Sequence, residues 1–277
     1  MTLRITSARN DPSQATRSAV CVAVLMAVQA TLGLLFRNQY RDVEWIAATW
    51  VGNDLVTLVV AIPLLVAGMR AAAHGYERGR IVMLGVLAYG VYNYAYYLFG
   101  AALNVFLPVY VLTFVCSAWA LVASITAVDV SKVRAVGRLP LRFIGGYFVV
   151  VGVSLVVAWV GMWAAHVFFG RATPIEPEAF KLVAALDLSL MAPLLILSGV
   201  QLWRRHLGGC LAGAVAGIQA SIYLTVLSVN STFAVRSGRI EAPGELPVWG
   251  TLAATTVVVT LLLLRGMREP ALQRRAA

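Results

Sequence analysis

FIGGYFVVVGVSLVVAWVGMWAAHVFF, residues 143–169, runs for 27 residues without an Asp, Glu, Lys or Arg. A helix rises about 1.5 Å per residue and the hydrocarbon core of a bilayer is about 30 Å thick, so about 20 apolar residues reach across it. Inside hydrocarbon every peptide N–H and C=O must be bonded within its own segment, which makes the run a helix. Seven more runs meet the same test, near 18–36, 50–69, 81–103, 105–128, 179–203, 207–230 and 247–264. The reading is an all-α, polytopic integral membrane bundle of eight transmembrane helices. Its parts are a polar, flexible N-terminal segment at 1–16, a single transmembrane domain at 17–266 and a basic tail at 267–277.

Composition agrees. Hydrophobic residues make up 60% of the 277, charged residues 12%, and the mean hydropathy is +0.82. A soluble domain carries about twice that charged fraction. The lipid bilayer is therefore the first expected partner. The run at 18–36 ends in Phe36-Arg37 with no small-residue cleavage site, and reads as a retained helix rather than a signal peptide.

The formal charge of +10 has an uneven distribution. With the N-terminus in the cytoplasm, 16 of the 22 Lys and Arg fall on the cytoplasmic side. The other six, Arg37, Arg41, Arg171, Lys181, Arg236 and Arg239, fall outside. This positive-inside bias places both termini in the cytoplasm and explains the basic excess without nucleic acid. The expected location is the plasma (inner) membrane. Cys21, Cys116 and Cys210 lie singly inside spans, and HExxH, paired-Cys and bis-His patterns are absent, so no cofactor or metal is expected.

Two matches hint at an internal 4+4 parallel repeat. Asn93, Tyr97 and Asn104 recur as Gln219, Tyr223 and Asn230 at a constant offset of 126, and Asp54 with Pro63 resembles Asp187 with Pro193, although the second spacing is three residues shorter. Pro63, Pro108 and Pro193 are expected to kink or start helices. Asn230-Ser231-Thr232 has the form of a glycosylation sequon.

Candidate functional residues are polar groups that hydrocarbon would penalise. Asp54 and Asp187 lie within spans, where a charge costs at least about 2.5–3.5 kcal/mol and must face the bundle interior or water. Asp54 reads as shallow, near the boundary at Trp50, where an N-cap role competes with a site role. Asp187 reads as deeper, heading a stripe with Ser198 and Gln201. Asn93, Tyr97 and Asn104 belong to a tyrosine-rich third span whose Tyr89, Asn93, Tyr96, Gly100 and Asn104 share one side. His166 and Tyr223 complete the outer-half set. Trp50, Trp163 and Trp249 are placed at the outer interface.

Three functions fit these residues. The first is binding or transport of a small ligand, cation or proton in an externally facing polar pocket centred on Asp187. The second is a membrane enzyme acting on lipid near the outer leaflet through a carboxylate and His166. The third is a non-catalytic assembly subunit docking through the small-residue stripe Gly209, Gly213, Gly217.

Overall fold

The computed structural model describes residues 12–128, 140–206, 208–236 and 245–267. Most of the segment 1–16, the residues 129–139 and 237–244, and the tail after Met267 lie outside the described residues. So do nine of the basic residues in the charge count: Arg4, Arg9, Lys132, Arg134, Arg138, Arg239, Arg268, Arg274 and Arg275.

Eight helices are long and apolar enough to cross a membrane, and the described residues include no β-strand. Six are uninterrupted, among them α1 (Pro12–Leu35), α3 (Glu77–Gly100), α7 (Gly209–Arg236) and α8 (Glu245–Arg265). The second, α2, is built from Glu44–Val56, Thr57–Ala61 and Ile62–Ala73. The remaining three are α4 (Leu107–Ala127), α5 (Leu141–Phe169) and α6, the last built from Pro177–Leu186, Asp187–Met191 and Ala192–Trp203.

The middle pieces of α2 and α6 are π-helical turns, and the two prolines explain them. Pro63 and Pro193 have no N–H, and their rings crowd the carbonyl four residues back. Widening the preceding turn relieves that crowding. Accordingly Ile62 N–H reaches back to the carbonyl of Thr57, and Ala192 N–H to that of Asp187, five residues rather than four. The expected kinks are met by a change of helical pitch that keeps backbone groups bonded in lipid.

The tyrosine-rich α3 is the central rod. Of its most apolar window 78% is buried, against 22% for α8 and 22% for α5, whose outer face carries Val150, Val157 and Phe168 for lipid. Helix α3 packs on α2, α4 and α7; α5 pairs with α6, α7 with α8, and α1 with α4 and α2. Glycines set the closest approaches. A Cβ on Gly199 would stand 2.6 Å from the Gly145 carbonyl oxygen, and one on Gly145 would stand 2.5 Å from the Gly199 oxygen, so α5 and α6 touch backbone to backbone.

The stripe on α7 is spent the same way. Gly209 abuts the backbone of Gln201 and Leu202, Gly213 the side chains of Leu202 and Leu263, and Gly217 that of Thr260. All three glycines are buried within the chain, so this face is covered by α6 and α8 and is not the exposed docking surface expected. The sequon is likewise internal to α7, with Ser231 buried.

Candidate functional site

Both membrane carboxylates are sealed, and each lies the same number of residues past the start of its helix. Asp54 is ten residues into α2 and Asp187 ten residues into α6, about 15 Å along each helix. The N-cap role of Asp54 is therefore corrected. Helix α2 begins at Glu44, before the apolar run, and Asp54 is an interior residue. Their exposures are 0% and 1%.

Around Asp54, Oδ1 accepts hydrogen bonds from Gln29 Nε2 at 3.0 Å and Tyr97 OH at 2.7 Å. Oδ2 accepts one from Tyr40 OH at 2.6 Å. Tyr94 OH donates to Gln29 Oε1 at 2.9 Å, which fixes the amide so that its NH2 faces the acid. Tyr40 reaches this depth because the chain after α1 turns at once, through a 3₁₀ turn at Arg37–Gln39. Asp42 then clamps the turn, accepting from Trp50 Nε1 at 2.9 Å and Ala102 N–H at 2.8 Å. Burial, and then the neighbouring Asp54, push the Tyr40 phenol well above its ordinary range, so it keeps its proton for donation. Trp50, expected at the interface, is fully buried and stacks between Tyr40 and Tyr97.

Around Asp187 the same chemistry recurs. Oδ1 accepts from Tyr92 OH at 2.5 Å. Oδ2 accepts from Trp159 Nε1 at 2.8 Å and, more loosely, Tyr223 OH at 3.3 Å. Tyr92 and Tyr223 also pack edge to face with centroids 4.9 Å apart. Each acid thus has two phenols and one obligatory N–H donor, drawn from neighbouring segments. Among the described residues neither forms an ion pair; the pairs there are Arg80–Glu77 and Lys181–Glu178.

Between the two acids lies an amide chain. Asn230 Nδ2 donates to Asn53 Oδ1 at 3.1 Å, and Asn53 Nδ2 to Asn93 Oδ1 at 3.4 Å. Gly52 makes the room, since any Cβ there would overlap the Asn230 amide. Asn93 Nδ2 and Asn230 Oδ1 have no protein partner. The chain joins α2, α3 and α7, so Asn230→Ala should lower stability by about 0.6–2 kcal/mol, read as a modest fall in melting temperature in detergent. No fall would show the amides to be passengers.

Of the seven sequence candidates, Asp54 and Tyr97 meet in one cluster, Asp187 and Tyr223 in the other, and Asn93 lies between. Asn104 and His166 do not join them. Helix α3 stops at Gly100, so Asn104 is off the helical face on which it was counted; it shapes the turn before α4, bonding Ala102 O and Phe106 N–H. His166 is exposed and its Nδ1 bonds the Arg171 carbonyl at 2.8 Å, closing the end of α5. The Asp187 stripe is broken by the π turn, and Ser198 bonds the Leu195 carbonyl. Four contributors escaped the sequence reading of the site: Gln29, Tyr40, Tyr92 and Trp159. Gln29 had a signal, a lone amide in an otherwise apolar run; so did Trp159, a tryptophan far from either end of its span.

Comparison with protein-family models, with curated proteins and with solved structures returns no match to this chain.

Proposed function

We propose that this multi-pass membrane protein, seated in the plasma (inner) membrane, binds and carries a proton or small cation, with Asp54 and Asp187 as the binding groups. One observation carries the reading: two acids in membrane helices, each almost fully buried, are held by neutral donors with no basic side chain bonded to either. A charge in hydrocarbon is expensive, and apolar packing stabilises a bundle at least as well as a buried polar network does. Acids kept there under those terms fit groups whose charge is meant to be met by something that comes and goes. Asn93, Tyr97 and Tyr223 orient the two carboxylates or bridge between them. The Lys and Arg distribution puts this half of the bundle toward the outside. The lipid-acting reading draws no support from His166, which is bonded to a loop carbonyl.

The test is flux in proteoliposomes under an imposed pH or alkali-cation gradient. Asp187→Asn keeps the volume and removes the charge, and it should reduce flux to that of empty vesicles. Flux equal to the parent protein in both Asp187→Asn and Asp54→Asn would end the proposal.

A further inference from the structure

We infer that the ion is a proton, and that each acid stores one in an open ring of a carboxyl group and the two phenols that donate to it: Asp54 with Tyr40 and Tyr97, and Asp187 with Tyr92 and Tyr223. The inference rests on the reading that these two acids are the ion sites.

The donor sets decide against a metal cation. Calcium needs six to eight oxygen ligands and magnesium a near-ideal octahedron. Each site here presents two carboxylate and two phenol oxygens, and an N–H that cannot turn away. Trp159 Nε1 is a donor without acceptor capacity. The Gln29 amide is locked by Tyr94 with its NH2 toward Asp54. Separations of 2.5 to 2.7 Å from phenol to carboxylate leave no space for an intervening ion and suit a shared hydrogen.

The N–H donors also choose which oxygen takes the proton. An oxygen facing N–H must stay an acceptor. This excludes Asp54 Oδ1, which faces Gln29, and Asp187 Oδ2, which faces Trp159. The receiving atoms are Asp54 Oδ2, opposite Tyr40, and Asp187 Oδ1, opposite Tyr92.

When Asp187 Oδ1 gains a hydrogen it donates to Tyr92, Tyr92 turns its own hydrogen away from the acid, and Tyr223 and Trp159 go on donating to Oδ2. Asp54 Oδ2 likewise donates to Tyr40, while Tyr97 and Gln29 go on donating to Oδ1. One hydrogen arrives, and no covalent bond other than the new O–H changes.

The surroundings of the two rings differ. Facing Asp54 are Tyr40 and Arg37 from the turn after α1, Tyr89, Tyr94 and Tyr97 from α3, and Tyr110 from α4. Facing Asp187 are Tyr92 from α3, Tyr223 from α7 and the non-ionising Trp159 from α5. Among the described residues no charged side chain is hydrogen-bonded to either acid.

The architecture supports two copies of one device. Gln29 and Trp159 are 130 residues apart, as are Thr57 and Asp187, the starts of the π turns, and Pro63 and Pro193. Tyr97 and Tyr223 are 126 apart.

The experiment is infrared difference spectroscopy on the full chain in lipid, titrated between about pH 4 and pH 9, with carboxyl-labelled aspartate identifying the bands. Two label-sensitive bands of protonated acid should appear within the range, one lost in Asp54→Asn and the other in Asp187→Asn. Tyr92→Phe, which keeps the packing, should shift the Asp187 band alone, and Tyr40→Phe the Asp54 band alone.

No aspartic acid band across the range overturns the inference, as do bands that ignore all four substitutions. Sodium- or potassium-dependent flux needing Asp187, with no protonated band, would retain the carrier reading and sink the proton. Bands that behave as expected, with flux untouched in both Asp variants, would retain the rings and sink the carrier.

Discussion

Gly199→Val should cost the protein its folded state in detergent. The added carbons would meet the Gly145 carbonyl oxygen at 2.6 Å and Val149 N at 3.0 Å. Both are backbone, so no rotamer change relieves the overlap, and α5 and α6 must separate. Overpacking of this kind costs about 1–3 kcal/mol where side chains can yield, and the upper end or beyond where they cannot. A fall of about 10 °C in melting temperature, with loss of the monodisperse species, is expected. Gly161→Ala on α5 is the control: nothing stands within 4 Å of its Cβ, and helix propensity favours alanine by about 1 kcal/mol. If both variants melt like the parent, α5 and α6 do not approach as described. Because Trp159 reaches Asp187 from α5, Gly199→Val should also abolish the Asp187 infrared band in whatever folded fraction survives.

Gly33→Ala should strike the other site with almost no change in bulk. Its Cβ would land on Asp54 Oδ2 and Tyr40 OH, the hydrogen-bonded pair that forms one arm of that site. Tyr40 must leave, and Asp54 loses the donor on one oxygen. Loss of a buried bond to an acid costs about 1.5–3 kcal/mol. Thermal stability should fall by that amount, the Asp54 band should vanish or move, and the Asp187 band should stay. Equal effects on both bands would mean that the sites are not independent.

The fold was legible because lipid imposes a rule with few solutions: an apolar run of sufficient length becomes a helix. All eight spans were found. Their starts were less secure, because hydropathy marks where water ends and not where the helix begins. Glu44 to Thr49 are helical despite preceding the apolar run, and that made Asp54 look like an N-cap. Half of each site could also be read. Asp54, Asp187, Tyr97 and Tyr223 stood out as polar groups in costly surroundings. Tyr40 did not, since a tyrosine beside Arg41 and Asp42 has the composition of an interfacial loop; its inward turn depends on the Asp42 clamp, a tertiary fact. The tyrosines of α3 were read as one wall because a peripheral helix has one inner face. Helix α3 is central, so Tyr92 serves Asp187 while Tyr94 and Tyr97 serve the Asp54 cluster. No spacing rule reveals that a helix is surrounded.

The wide turns in α2 and α6 carry a mechanical implication. Such a turn holds one residue more than its neighbours, and a surplus residue can travel: when one amide exchanges its carbonyl, the swelling moves along by a single position. Each such step rotates the residue it passes by about 100° about the helix axis. Thr57 begins one swelling just past Asp54, and Asp187 itself begins the other. Travel of one notch toward the N-terminus would swing Asp187 out of its cradle while α6 stayed seated in the bilayer. A rod with a slipping crank at its acid can change which side that acid addresses without moving as a body.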